Sequence, residues 1–575
     1  MDTDKVERDR YLYYGDAMRP VAQVLNYCAD ALSAEQKASL ANYLAEWTTR
    51  MWQDRRIQWA LNTPVHNYHM AYLEGTALAG YALRAAGDSR GDAFIRKLHK
   101  QLKKPGGVLD YLRTEGAGGD WPEGANYGQR SKQRLFATLA LIAAAGGKNH
   151  IASERYFAES IYYAVYQLQP DRRSLHPAGD LARHSLLPAT PLDRDYVQIA
   201  TYWLADKAAR QLGQWYLRRV VPSYDTGSPA LRHLLYQDLI YSVKDPTRKP
   251  ESLKLFYLAK GSQWLGIRSG WHQNATALTI SGLPRTEMGH AHFETGSFTL
   301  FKGGWQAIDS ATFSRSGLLW QPGAHNGVNV DHAERRFGRK LEKGRGILQL
   351  SDTDEYSYAQ VDGAPALRRK APRGQSSLLL SEYIREFVFL KPDTLVLYDR
   401  VKAADPATPF DWRLHTATRP ALRNKLFQSR HEKGGLSLSV LAGDSPQVET
   451  NDDLKSRSWR ISTTSPSGRF LNVIRVGLGP APKLQARNVS AGETMQGARL
   501  ENDVVLFSTA PLGASPTTAF QYSLPKQSKR VHTWVNMPTK VAVTHTISGS
   551  EIRITVTPGG PLKANTQGVV RWLEP

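Results

Sequence analysis

The apolar residues of this chain change their period near residue 262, and that change constrains the fold more than any other feature. Before it, Val21–Trp52, Met70–Ala86, Lys132–Ala145, Ile151–Leu168, Val197–Leu217 and Pro229–Val243 carry apolar side chains three and four positions apart, the repeat of helices with one buried face. The joining segments are short and rich in Gly, Pro and Asp, as helix stops and turns require. Helices in series with no strand pattern between them predict antiparallel pairs assembled as a bundle, solenoid or toroid. After Gly266 the period falls to two. Ala275–Ile280, Ser297–Phe301, Gly346–Leu350, Glu386–Tyr398, Leu436–Leu441, Phe470–Val476, Asp503–Ser508, Lys540–Ile547 and Glu551–Thr557 read as strands. Inside Glu386–Tyr398, Lys391-Pro392-Asp393 is a hairpin turn signal. The expectation is an α+β chain, with a helical domain over 1–262 and a large antiparallel β-sandwich over 263–575.

Composition narrows the function. The apolar fraction of 41% excludes wholesale disorder. One cysteine, Cys28, excludes a disulfide framework, a thiolate zinc finger and an iron–sulfur cluster. No run of about eighteen apolar residues is present, and Leu135–Ala145 reads as a buried helix, so no membrane partner is expected. The opening MDTDKVERDR lacks the apolar core of a signal peptide; the chain is either cytoplasmic or has had its signal removed. The net charge of +21 asks for an acidic partner. Basic residues are scattered rather than gathered on one helix with interleaved aromatics, which argues against nucleic acid. There is no GxSxG elbow, Walker loop, GxGxxG after a strand or CxxC pair.

Four polar clusters hold the residues that can do chemistry. VHNYHMAYLE (Val65–Glu74) places His66, Asn67 and His69 at the start of a helix. GGDWPEGANYG (Gly118–Gly128) brings Asp120, Trp121, Glu123 and Tyr127 together on a glycine-rich stretch. It reads either as a helix N-terminus with Trp121 packed beneath it or, through Asp120 and Glu123, as a glycosidase acid/base pair. GHAHFETGSF (Gly289–Phe298) alternates His290 and His292, which in a strand would share one face and one site. AHNGVNVD (Ala324–Asp331) adds His325, and with Asp309 these histidines make an N/N/O zinc set possible. The bland reading of an isolated HxH is a solvated strand face.

Taken in order, the clusters resemble the heparinase II/III family of polysaccharide lyases. The resemblance rests on NYH at Asn67–His69, WPEGANY ending in Tyr127, PAGD at Pro177–Asp180 and RSGW at Arg268–Trp271. It continues through GHAHFETGSF with Asp309 downstream, HNGVNVD from His325, and REFVFLKPDTLVLYDR at Arg385–Arg400. It implies an (α/α) toroid followed by an antiparallel β-sandwich, and β-elimination on an acidic, uronic-acid-containing polysaccharide outside the cytoplasm, in the periplasm or secreted. It also implies Tyr127 and His290 as catalytic residues, Asn67 or His69 as the group that neutralises the substrate carboxylate, and His292, Asp309 and His325 as zinc ligands. Two positions depart from the family pattern. Glu294 stands where the motif usually carries Asp, and Tyr68 separates Asn67 from His69, which relatives often hold adjacent. Two rivals remain at this level: a toroidal glycoside hydrolase using Asp120 and Glu123, and a non-catalytic binder of acidic glycans that stacks sugars on Trp121.

Overall fold

The computed structural model describes residues 9–180, 189–222, 236–282, 290–314, 319–330, 346–370, 376–423, 426–527 and 529–574. They form two compact units. The first comprises Met1–Leu181, Leu186–Trp264 and Thr286–Ala291; the second comprises Ala182–Ser185, Leu265–Arg285 and His292–Pro575.

The first unit is helical: α1 (Arg10–Tyr27), α2 (Ala34–Gln53), α3 (Gln58–Leu61), α4 (Asn67–Ala85), α5 (Arg90–Leu102), α6 (Val108–Arg113), α7 (Gly124–Ala144), α8 (His150–Ser153), α9 (Arg155–Tyr166), α10 (Pro191–Trp203) and α11 (Lys207–Arg219). Helices α1, α4, α7 and α10 pack side by side in that order, while α2, α5, α9 and α11 lie against them. This alternation of inner and outer helices is that of an (α/α) toroid. The helical stretch expected over Val21–Trp52 breaks before Ser33, whose hydroxyl accepts from the Gln36 amide at 3.1 Å while the Gln36 side chain accepts from the Ser33 amide at 2.8 Å. That reciprocal cap starts a new helix. Residues 229–235 of the expected Pro229–Val243 helix lie outside the described residues, and Gln237–Ile240 forms a single turn.

An apolar cluster including Tyr14, Met18, Leu44, Tyr72 and Leu83 fills the space among α1, α2 and α4. Burial of charge between inner helices favours pairing. Arg134 of α7 donates to Asp16 at 3.0 Å and to the Leu12 carbonyl at 2.7 Å. Among the described residues no helix is long and apolar enough to cross a membrane.

The second unit is built from β-sheet. The hairpin Leu380–Leu390/Thr394–Ala403 closes on Leu390 opposite Thr394, around the Lys391-Pro392-Asp393 turn, and lies inside an eight-stranded antiparallel sheet. Tyr358, Val388, Val396, Tyr398 and Val473 of that sheet pack against Val505 and Phe507 of a second sheet. Asp503–Ser508 runs parallel to Val531–Val535, against the antiparallel rule.

The expected HxH strand is absent. Residues 290–297 form no strand, and strand structure begins only at Phe298. Gly296 adopts φ +79°, its amide donates to the Ser281 carbonyl at 2.7 Å, and the Ser297 amide donates to Glu294 at 2.7 Å. With no strand at 290–297, the alternation on which a shared face depended is absent. His290 belongs to the helical unit and His292 to the β unit.

Candidate functional site

The first site lies in the helical unit and begins with a buried carboxylate. Glu123 precedes α7 and is fully buried. It accepts from the Asn67 amide at 3.1 Å, from Trp121 Nε1 at 3.2 Å and from the Ser131 hydroxyl at 2.7 Å. Burial pushes its carboxyl up, opposed by the His290 ring and these donors. One side chain thus ties the start of α4 to the start of α7. With both oxygens spent on protein donors, Glu123 has no geometry for protonating a glycosidic oxygen. The GGDWPEGANYG segment accordingly adopts the helix-start form: α7 begins at Gly124, Trp121 is packed at 2% exposure, and Tyr127 stands half-buried in the first turn.

Tyr127 stacks on His290, with ring centroids 3.5 Å apart and planes within 10°. His290 Nδ1 faces Asp180 Oδ2 in a short imidazole–carboxylate contact. The Asp180 amide in turn donates to the His290 carbonyl at 3.0 Å, so side chain and backbone fix the same neighbour. Two glycines allow this crowding. Gly124 (φ +76°) packs on the Ala178 carbonyl, and a Cβ on Gly179 (φ +67°) would sit 2.8 Å from the Glu123 carbonyl and 2.9 Å from that of His290. The His290 side chain keeps 22% exposure, while Asp180 keeps 2%. Nε2 of His290 is therefore the ring nitrogen not committed to Asp180.

The four candidates separate here. Asn67, Tyr127 and His290 gather around Glu123 and Asp180. Asn67 is 3% exposed, and its side-chain oxygen is buried with no hydrogen-bond partner. His69 turns away: burial lowers its pKa to about 4, and the backbone of Thr63 and Ala60 accompanies it. His66 takes its place near the site, with its ring 6.3 Å from that of His290. Its Nδ1 accepts from the Tyr68 amide at 3.2 Å and caps α4. Burial, reinforced by His290 and His69, pushes its pKa to about 3, so it is a neutral imidazole. Asp180 and His66 were both present in the sequence clusters without a role. An imidazole pair across 224 positions of chain leaves no spacing signal, and neither does a carboxylate 110 positions from its histidine.

The second site lies in the β unit. His292, Glu294 and His325 are all buried and offer one ligand atom each within 4.8 Å of one another. The donor set is two imidazoles and a carboxylate, which suits zinc. Asp309 stands one step out. Its Oδ2 lies 2.6 Å from His325 Nδ1, and its Oδ1 accepts from the Ala311 amide at 2.9 Å. Burial alone would raise the Asp309 carboxyl, yet the His325 ring, with smaller help from His292 and the Ala311 amide, holds it below the usual range. Burial opposes charge on His325 too, and Asp309 overcomes it, raising that imidazole. A carboxylate on Nδ1 turns Nε2 towards a metal, the usual device for orienting a ligating histidine. Glu294, the position that departs from the family motif, supplies the carboxylate of the cluster. Arg385 frames both ligand turns: it donates to the carbonyls of Gly296 and Asn326 at 2.7 Å each, and is itself held by Asp399 at 2.6 and 3.1 Å.

With this geometry in hand, the chain can be set beside known proteins. No protein-family model matches it, and no curated protein matches its sequence. Solved structures do. A crystal structure of heparinase III aligns over 86% of this chain and 74% of its own, at 11% identity and TM-score 0.54. A second heparinase III structure, with methylated lysines, aligns over 91% and 73%, at 12% identity and TM-score 0.54. A chondroitin AC lyase from Streptomyces coelicolor A3 aligns over 97% and 83%, at 14% identity and TM-score 0.44. The chain has the heparinase-like polysaccharide-lyase fold, a helical toroid unit followed by a β unit.

Proposed function

We propose that this protein is a polysaccharide lyase that cleaves an acidic, uronic-acid-containing polysaccharide by β-elimination, leaving an unsaturated uronate end. The observation that carries the reading is the Tyr127–His290–Asp180 constellation, held against Asn67 through Glu123. The fold it shares with heparinase III supports it, as does a charge of +21 suited to drawing in a polyanion.

The reaction removes the proton at C5, beside the uronate carboxylate, and expels the oxygen at C4. Charge accumulates on the carboxylate as the proton leaves, so a preorganised donor there lowers the barrier most. Asn67 takes that role, as the Glu123 bond fixes the start of its helix. His69 supports from behind, packed against the backbone of Ala60 and Thr63. A base must reach C5 and an acid must reach the leaving oxygen. Tyr127 and His290 supply these two functions from stacked rings. With Nδ1 held by Asp180, His290 presents Nε2 to substrate. Tyr127 donates its phenolic proton to O4 and, as phenolate, accepts the C5 proton where both lie on one face of the sugar.

His292, Glu294 and His325 would hold zinc, with Asp309 orienting His325; a zinc ion bound there supplies a fixed positive charge that cross-links the turns carrying its ligands. His292 follows His290 by two residues, so the same turns lead into the segment that bears the catalytic imidazole. A substrate of this class places the protein in the periplasm or outside the cell.

The test is incubation with a panel of acidic polysaccharides, reading the ultraviolet absorbance of unsaturated ends. Wild type generates that absorbance on at least one substrate and Tyr127→Phe does not. Saturated reducing ends, or near-normal turnover by Tyr127→Phe, would remove the proposal.

A further inference from the structure

One aromatic side chain near the first site has no part in the reaction and is not buried. Trp59 lies in the short helix α3, where Ala60 and Leu61 face the core and Gln58 and Trp59 face solvent. Half of the tryptophan, 50%, remains exposed. A half-bare indole on a fixed backbone offers a flat apolar face with one polar edge, the shape that stacks on a sugar ring. The backbone here is fixed: the Trp59 carbonyl accepts from the Thr63 hydroxyl at 3.0 Å and from the Asn62 amide at 3.1 Å.

Its ring also stands at the end of a row that begins in the active site. Tyr127 stacks on His290, and His290 neighbours His66. His66 meets Trp59 edge-to-face at 4.8 Å and 81°, and Tyr68 braces both rings, at 4.8 Å from His66 and 5.9 Å from Trp59. All of these residues belong to the helical unit. His66 is the hinge of the row because it caps α4 and is held neutral by burial. A row of packed aromatic rings suits the C–H faces of pyranoses. Arg55, exposed, lies in the 3-10 turn Arg55–Ile57 that leads into α3.

We infer that Trp59, braced by His66 and Tyr68, is a sugar-stacking subsite for a pyranose next to the reacting uronate of an acidic polysaccharide. The inference rests on the lyase reading for its substrate class and on the ring row for its position. Stacking acts on the chain rather than on the reacting carbon, so its loss weakens binding and erases the advantage of longer substrates.

The test separates binding from chemistry. Calorimetric titration of the full-length protein with tetra- and octasaccharides of heparan sulfate, chondroitin and alginate gives Kd, and absorbance assays on the same ligands give kcat and KM. Trp59→Ala is expected to raise Kd and KM for the octasaccharide about tenfold, the scale of one lost aromatic contact. Trp59→Phe, which keeps a ring, should recover most of that loss, which a misfolded protein could not do. If wild type binds without cleaving and Trp59→Ala loses that binding, the subsite stands and the lyase reading falls. If wild type cleaves while Trp59→Ala keeps Kd and KM within twofold, the subsite is overturned and the lyase reading stands. Absence of binding to every oligosaccharide overturns both.

Discussion

Asp180→Asn is the sharpest perturbation of the proposed chemistry, because it changes one atom in a contact that has little other purpose. The carboxylate is 2% exposed and the imidazole it meets 22%, so water screens the bond weakly. A hydrogen bond to a charged partner in such a place contributes about 1.5–3 kcal/mol. Asparagine keeps the shape and the backbone bond to the His290 carbonyl, but it removes the charge. It can also present its NH2 group to Nδ1, which would leave the proton on Nε2 and abolish the acceptor facing substrate. If the whole contact matters only in the transition state, the loss appears as about a 10- to 150-fold fall in kcat with KM little changed.

The assay is the initial rate of ultraviolet-absorbing product on the best acidic polysaccharide, for Asp180→Asn, His290→Ala and the double variant. Residues that act as one unit are not additive. The double variant should therefore be no slower than His290→Ala alone. A multiplicative loss would mean that Asp180 works through something other than His290. A kcat for Asp180→Asn within twofold of wild type, beside a dead His290→Ala, would refute the positioning role outright.

Other expectations follow from the same geometry. Purified protein should carry zinc near one equivalent per chain by elemental analysis; His325→Ala should lose it, and Asp309→Asn should weaken its retention against a chelator by about 10- to 100-fold. Glu294→Gln should also lose the metal, and unaltered occupancy in that variant would return the carboxylate role to Asp309. Arg385→Met leaves Asp399 buried without its partner, so the denaturant midpoint should fall by the equivalent of about 3–5 kcal/mol. Burial pushes the pKa of His415 and of His532 to about 3 in the folded chain. The unfolded chain takes up protons near pH 6.5 that the folded chain refuses until about pH 3. Stability should thus fall as pH drops through that window, by about 1.4 kcal/mol per pH unit for each imidazole, measured as the denaturant midpoint against pH.

The division into helical and strand-forming halves was legible because it is written in local periodicity, and the Lys391-Pro392-Asp393 turn because its residue types have few other uses. Tyr127 and Asn67 were legible as members of motifs. What the sequence hid depends on backbone turns and long-range pairing. Alternating histidines predict a shared face only if the backbone runs as a strand, and residues 290–297 form none. His290 stacks on Tyr127, while the His292 ring lies 5.3 Å from that of His325.

The carboxylates make the same point from the other direction. Asp309 and Glu294 are both spaced plausibly for a metal, and composition cannot rank them. The structure ranks them by what else each must satisfy. Asp309 is committed to His325 Nδ1 and to the Ala311 amide, which leaves it an orienting role, whereas Glu294 lies 3.8 Å from His292 Nδ1 and within reach of His325. Asp180 and Glu123 divide similarly. Glu123 looked like an acid because it sits in a conspicuous loop, but three donors consume it. Asp180, given no role in the PAGD stretch, meets the His290 imidazole. Asp309 and Asp180 each meet an imidazole Nδ1, Glu123 joins the starts of two helices, and Glu294 lies with the two-histidine cluster.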